Sequence, residues 1–259
     1  MTILDKIVER KRIEVEQARE KISIDDLKQK CFFHRETISI SERIKAEGSS
    51  GIIAEFKRHS PSKKWINQYA DPVEIVKAYE VAGVAASSIL TDTDFFKGSL
   101  EDLKRVRTAV NIPLLRKDFM IDEYQFYEAK AYGADAVLLI AVVLTPKEVI
   151  AFTDLAHELG LEVLLELHSE DEMGHVYEQV DMVGINNRDL KTFEVDVERS
   201  ARMVSQLNVK FVKIAESGID SPKTINYFRG VGFDGFLIGE NFMKSDNPGL
   251  ACKSFIELI

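Results

Sequence analysis

The sequence predicts an α/β fold, a closed (β/α)8 TIM barrel carrying an N-terminal helical extension, and three observations lead there. The chain has 259 residues, a length at which a single α/β barrel is common. From Gly51 onward, eight short apolar runs alternate with longer amphipathic segments, at roughly 26 residues per unit, as a closed parallel barrel requires. An open doubly wound sheet usually has fewer strands. Several of the intervening segments also open with a legible helix start, a capping side chain before a proline.

Taken in order, Ile3, Leu4, Ile7, Val8, Val15 and Ala18 recur at roughly helical spacing among Lys, Arg and Glu, which predicts an amphipathic helix. Ser23 with Asp26 resembles the capping box of a second, short helix. Glu47-Gly48-Ser49-Ser50-Gly51 reads as a flexible joint. Residues 1–48 are therefore expected to be a helical extension packed on the main body, and residues 49–259 the barrel, one domain overall. The candidate strands are Ile52 to Phe56, Ala86 to Leu90, Pro113 to Arg116, Ala136 to Ile140, Glu162 to Leu167, Met182 to Ile185, Phe211 to Ala215 and Gly235 to Ile238. Between them, Asp71-Pro72 followed by Glu74, Thr145-Pro146 followed by Glu148, and Ser221-Pro222 mark helix N-termini. Ile121-Asp122-Glu123-Tyr124 looks like the opening of another.

Composition narrows the function classes. Nearly half the residues are apolar, 45%, enough for a core at this size. No run approaches the roughly 18 apolar residues of a membrane span, and Met1 to Lys6 lacks the pattern of a signal peptide. A cytoplasmic protein is the expectation. Cys31 and Cys252 are far apart and in no metal-ligand spacing, so both are read as packing residues in a reduced compartment. A net charge of -9 argues against general nucleic-acid affinity. Lys57, Arg58, His59, Lys63 and Lys64 nonetheless gather positive charge in one segment, suited to a small anion.

In such a barrel the chemistry belongs at the carboxyl ends of the strands. There the sequence puts Glu55 and Lys57, Lys117, Glu166 with His168, Asn186 and Arg188, and Glu216 with Ser217 and Gly218. Side chains alternate along a strand, so Glu55 and Lys57 share a face, about 6 to 7 Å apart. If Ile53 fills the core, both point into the mouth. Charges converging there must pair with each other or with a ligand. A purely structural ion-pair cluster, or for Lys117-Asp118 a solvated surface pair, is the alternative. Ser217-Gly218 and Gly239 offer small residues and backbone amides where barrels often bind phosphate, unless Gly232, Gly235 and Gly239 are plain turn glycines. Ser60-Pro61-Ser62 adds hydroxyl donors. His59, His157, His168 and His175 form no ligand cluster, and there is no dinucleotide fingerprint, so neither metal nor cofactor is indicated.

Ile53-Ala54-Glu55-Phe56-Lys57 with Ser60-Pro61-Ser62-Lys63, Phe95-Phe96-Lys97-Gly98-Ser99, Arg116-Lys117-Asp118-Phe119, Gly133-Ala134-Asp135, Glu166-Leu167-His168, Gly184-Ile185-Asn186-Asn187-Arg188-Asp189-Leu190 and Glu216-Ser217-Gly218-Ile219 stand in this order along the chain. Together they resemble the signatures of the indole-3-glycerol phosphate synthase family, over nearly the whole length and including the N-terminal extension. The resemblance implies a lyase of tryptophan biosynthesis that acts on a small anionic phosphosugar-anthranilate substrate, with no membrane, nucleic acid or obligatory protein partner. It implies Lys117 as the general-acid lysine and Glu166 as a catalytic glutamate. Glu55, Lys57 and Asn186 would hold, polarise or relay protons beside them; how the two lysines and two glutamates divide the transfers stays open. It implies further that Ser60, Ser217, Gly218 and Gly239 cradle phosphate and that Arg188 meets anionic or hydroxyl groups. Glu216 would accept from a ribulose hydroxyl, Phe96 and Phe119 would wall the aromatic ring, and His168 would take a supporting place.

Two positions depart from the family pattern. Lys64-Trp65 stands where a glycine is common, and is less permissive of positive φ. Asn241 replaces a small residue after Gly239, which tightens the phosphate region or adds an amide donor. Two other functions fit less well. A phosphoribosylanthranilate isomerase expects a cysteine near the end of strand 1, where this chain has Glu55 and Lys57. A non-catalytic phosphate-binding barrel should have lost acid-base residues that are present here.

Overall fold

The computed structural model describes residues 2–188 and 195–259; Asp189 and Leu190 of the sixth motif lie outside the described residues. Eight parallel strands close a barrel: β1 (Ile52–Phe56), β2 (Ala86–Leu90), β3 (Leu114–Lys117), β4 (Ala136–Ile140), β5 (Glu162–Leu167), β6 (Met182–Asn186), β7 (Val212–Glu216) and β8 (Gly235–Ile238). Each pairs with its sequence neighbours, and β8 closes on β1 through Ile52↔Phe236 to Ala54↔Ile238. Strand parity divides the apolar residues into two layers. Ile53, Leu115, Leu138, Leu164, Met182, Ile214 and Leu237 fill the barrel interior, while Ala54, Phe56, Leu114, Val137, Leu165 and Phe236 pack outward under the helices. A strand buried on both faces reads as a continuous apolar run, which is why these runs were visible in the sequence.

The helix starts fall where the capping residues predict. Asp71 accepts from Val73 and Glu74 N–H ahead of α4 (Pro72–Ala82), Thr145 and Glu148 form a reciprocal capping box on α7 (Pro146–Glu158), and Ser221 caps α9 (Pro222–Val231). Three differences appear. α6 (Tyr124–Ala131) begins only at Tyr124, and the preceding Ile121 and Asp122 N–H groups donate to Gln125 Oε1. The connection from β5 to β6 carries a 3-10 turn, Glu170–His175, and no full helix. Glu47 to Gly51, expected as a flexible joint, is a hydrogen-bonded turn with Gly48 and Gly51 at φ 76° and 70°.

The N-terminal segment contacts the barrel at both ends. α1 (Ile3–Lys21) lies beside the mouth, and the Tyr124 hydroxyl donates to the Ala18 or Ile22 carbonyl at its end. The Ser23 capping box opens α2 (Ile24–Lys28) as expected. α3 (Ile40–Lys45) plugs the opposite end: Ile40 and Ile44 join the interior layer, and Glu162 accepts from the Ile40 and Ser41 amides and the Ser39 and Ser41 hydroxyls. Of the two cysteines, only Cys252 is buried. Cys31 is exposed because it sits in the turn after α2, where Phe33 takes the packing role by stacking on Tyr127.

Candidate active site

Every residue that the sequence singled out at the strand ends, from Glu55 and Lys57 to Gly239, lines one cavity of about 540 Å³ at the carboxyl end of the barrel. That volume suits a ligand of small-metabolite size. Inward parity brings the charged groups together. Lys117 Nζ lies 2.7 Å from Glu166 Oε2 and 3.4 Å from Glu216 Oε2, and Lys57 Nζ lies 2.5 Å from Glu55 Oε1. Asn186 Nδ2 donates to Glu166 Oε1 at 3.0 Å. His168 is buried behind it, Nε2 at 2.9 Å from the same oxygen but off the line of a ring N–H bond.

Burial sets these groups against one another. For Lys117, burial disfavours the ammonium, but the charges of Glu166, Glu216 and Glu55 outweigh it and hold the lysine protonated well above its usual range. Burial would likewise raise Glu166, but Lys117 and His168 pull it well below the carboxylate range. Glu216 goes the other way: burial and the Glu166 carboxylate push it well above the usual range against the attraction of Lys117. Of these two glutamates, Glu216 is therefore the one whose surroundings favour a proton, and with one it can donate a hydrogen bond as well as accept one. Its Oε1 is buried and lacks a protein partner among the described residues.

Glycines make the room. A Cβ on Gly184 would fall 2.2 Å from Glu216 Oε1, and one on Gly239 2.5 Å from Glu55 Oε1. Around the rim, Ser217 (φ 65°) and Gly218 (φ 69°) form a left-handed turn after β7. Arg188 donates its backbone N–H to Asn186 Oδ1 and its guanidinium lies 3.9 Å from Glu240. Asn241 does add an amide donor, but it is directed to the Asp220 carbonyl at 3.2 Å. The aromatic pair Phe96 and Phe119 stands with ring centroids 6.1 Å apart. The loop after β1 folds into a small hairpin, His59–Ser60 against Lys64–Trp65. Lys64 takes φ 56° there, the left-handed conformation that a glycine would adopt without strain.

Sequence reasoning missed the groups that hold these walls. Lys11 of α1 is buried with its Nζ 2.9 Å from Asp118 and 3.0 Å from Asp92. Asp118 Oδ1 in turn accepts the Phe119 amide, and Asp92 Oδ1 the amides of Phe95 and Phe96. One ammonium thus braces the loops of both phenylalanines. The signal was present: Ile7, Lys11 and Val15 are the buried positions of α1, so Lys11 interrupts an apolar stripe at four-residue steps. Ile3, Leu4 and Ile7 of the same helix also line the cavity.

A TIM barrel whose mouth sets buried ammonium groups against carboxylates, beneath a rim of small polar residues, defines an acid-base enzyme for a small anionic substrate. The chain belongs to the indole-3-glycerol phosphate synthase family: the profile of that family, "Indole-3-glycerol phosphate synthase", matches residues 4–255. It is 50% identical to the indole-3-glycerol phosphate synthase of Bacteroides thetaiotaomicron over 257 residues, covering 99% of this chain and 98% of the relative. Against the enzyme of the same name from Salinibacter ruber it is 43% identical, covering 97% and 94%. Among solved structures, the tryptophan synthase alpha subunit of Legionella pneumophila superposes with a TM-score of 0.62 at 14% identity, covering 85% of this chain and 94% of that one. Thiamine phosphate pyrophosphorylase from Pyrococcus furiosus gives 0.60 at 16%, covering 80% and 93%. At those identities the likeness speaks for the fold alone. No helix among the described residues is long and apolar enough to cross a membrane.

Proposed function

We propose that this chain closes the indole ring of indole-3-glycerol phosphate. Its substrate is 1-(o-carboxyphenylamino)-1-deoxyribulose 5-phosphate, and carbon dioxide and water leave. The enzyme is a carboxy-lyase of tryptophan biosynthesis working in the cytoplasm, and residues 1–48 are part of its working unit, bracing the mouth of the barrel. The observation that carries the residue assignment is a lysine, Lys117, kept protonated inside a cavity by three glutamates.

The chemistry asks for such a group. An aromatic carbon attacks a ketone, and negative charge develops on the ketone oxygen. The Lys117 ammonium stabilises that charge and gives up its proton as the oxygen becomes alkoxide-like, a base strong enough to take it. Loss of carbon dioxide from the ring carbon then restores part of the conjugation. Departure of the hydroxyl with a proton completes the indole, and it again needs one acid and one base. Glu166, ionised and held by Asn186, is the base in this reading. The Lys57–Glu55 pair is a second ammonium-carboxylate couple that assists the dehydration. Glu216 holds a ribulose hydroxyl. The phosphate sits against Ser60, Ser217, Gly218 and Gly239, with Arg188 at the rim, and the anthranilate ring lies against the wall that Phe96 and Phe119 form.

Purified protein mixed with this substrate, without added metal or nucleotide, is expected to generate indole absorbance and fluorescence. No turnover at substantial enzyme concentration would sink the assignment.

A further inference from the structure

The loops that follow β1 and β2 are joined by one hydrogen bond, from an imidazole that the chemistry above does not use. His59 Nδ1 lies 2.7 Å from the Phe95 carbonyl. Because a carbonyl only accepts, Nδ1 is the protonated nitrogen. The same peptide segment is gripped from the other side, since the Phe95 and Phe96 amides donate to Asp92 Oδ1 at 2.8 and 3.0 Å. Phe96 itself packs against Phe119, and both rings line the cavity. Within its own loop, His59 pairs with Trp65 across the hairpin, their rings 5.2 Å apart and nearly perpendicular. Its neighbour Ser60 pairs with Lys64, accepts the Lys63 amide at 3.2 Å and lines the cavity. A displacement of His59 therefore moves Ser60 on one side and the Phe95 carbonyl on the other.

We propose that His59 is a positioning residue that couples the phosphate end of the site, at Ser60, to the aromatic end, at Phe96. The inference rests on the functional reading above, which puts phosphate against Ser60 and the anthranilate ring against Phe96. An anion seated on Ser60 fixes the hairpin. Through His59 the hairpin fixes the Phe95 carbonyl, so the ring of Phe96 is already ordered when the aromatic group arrives. Linkage makes the effect reciprocal: the aromatic group favours phosphate by the same factor. Arg58 acts separately. Its bidentate pair with Asp102, at 2.6 and 3.2 Å, ties the base of the hairpin to α5 (Leu100–Arg107) and remains when His59 is replaced.

The coupling is read by calorimetric titration of the full chain with anthranilate, with and without saturating inorganic phosphate. The ratio of the two Kd values is the measurement. His59→Ala is expected to shift that ratio against cooperative binding by at least about fivefold relative to wild type. His59→Asn, whose amide nitrogen stands where Nδ1–H was, is expected to keep the wild-type ratio. A merely structural histidine would lower the melting temperature and leave the ratio untouched. An unchanged ratio in His59→Ala overturns the proposal, and so does His59→Asn behaving like alanine. If wild type binds neither probe, the functional reading itself fails; if it binds both with a ratio indifferent to His59, only the coupling fails.

Discussion

Asp118 and Glu216 are both buried carboxyl groups within one residue or one contact of Lys117, yet their environments drive them in opposite directions. Asp118 points away from the barrel axis. Its two oxygens receive Lys11, the Phe119 amide, the Thr91 hydroxyl and Arg116. Burial alone would raise its pKa, but the Lys11 and Arg116 charges and these donors bring it down to about 2. Glu216 points inward, shares Lys117 with Glu166 at 3.4 Å, and leaves Oε1 without a protein partner. The same burial is there with too few donors to oppose it, and together with the Glu166 carboxylate it pushes the pKa up. Strand parity separates the two: Lys117 sits between Arg116 and Asp118 in sequence but on the other face of β3. A saturated carboxylate holds structure; an unsaturated one is held ready for a ligand.

The contrast can be broken at several points. Lys117→Ala is expected to cost at least about a hundredfold in kcat/KM, the worth of a positioned acid, while circular dichroism and phosphate binding stay as in wild type. A mild loss would move the acid's role to Lys57. Asp118→Asn is expected to lower stability by about 3 kcal/mol, because Lys11 and Arg116 lose a buried counter-charge, as read by urea unfolding at pH 7. The sign of its pH dependence follows from its depressed pKa. The stabilisation by Asp118 is complete above the ordinary carboxyl range and is lost as pH falls toward about 2. The gap between variant and wild type should therefore narrow from about pH 5 downward.

Glu216→Gln should do the opposite. A raised carboxyl pKa favours the folded state only at low pH, and that contribution disappears as pH climbs past the ordinary carboxyl value, so at pH 7 the group works against folding. The amide removes that penalty, and we expect the melting temperature to rise by about 2 °C or more. A fall in melting temperature at pH 7 would show that Glu216 is ionised and paired like Asp118. The smallest effect is expected on the hairpin: Lys64→Gly relieves a left-handed backbone and should raise stability by up to about 1 kcal/mol in thermal unfolding.

The barrel was legible because its strands are buried on both faces and its helices open with side chains whose capping geometry is local. Ile52–Phe56 and Glu162–Leu167 could be bounded to the residue for that reason. Glu55, Lys117 and Glu166 were legible as a group because parity at a strand end is a local property with a global meaning. The β5–β6 connection was less so, since Glu170–His175 has helical composition without the length for a helix. Lys11 was not singled out, and His59 was read only as part of a cationic segment, because their partners Asp92, Asp118 and Phe95 lie between 36 and 107 positions away. No periodicity reports such pairings. Nor does sequence tell a donor-rich carboxylate from a donor-poor one: Asp118 and Glu216 look alike until their neighbours are counted.

Gly184 and Gly239 give this site a property that a designer would meet before any chemist did. Each yields the volume that a glutamate occupies on the adjacent strand, Glu216 and Glu55 respectively. The acid and its facing glycine therefore form a unit of inheritance. Shortening Glu216 alone leaves a void beside Gly184, and adding a methyl at Gly184 alone evicts Glu216. Redirecting this barrel to a new substrate accordingly calls for paired exchanges across neighbouring strands, with single-site libraries at either position expected to be poor in folded, active variants.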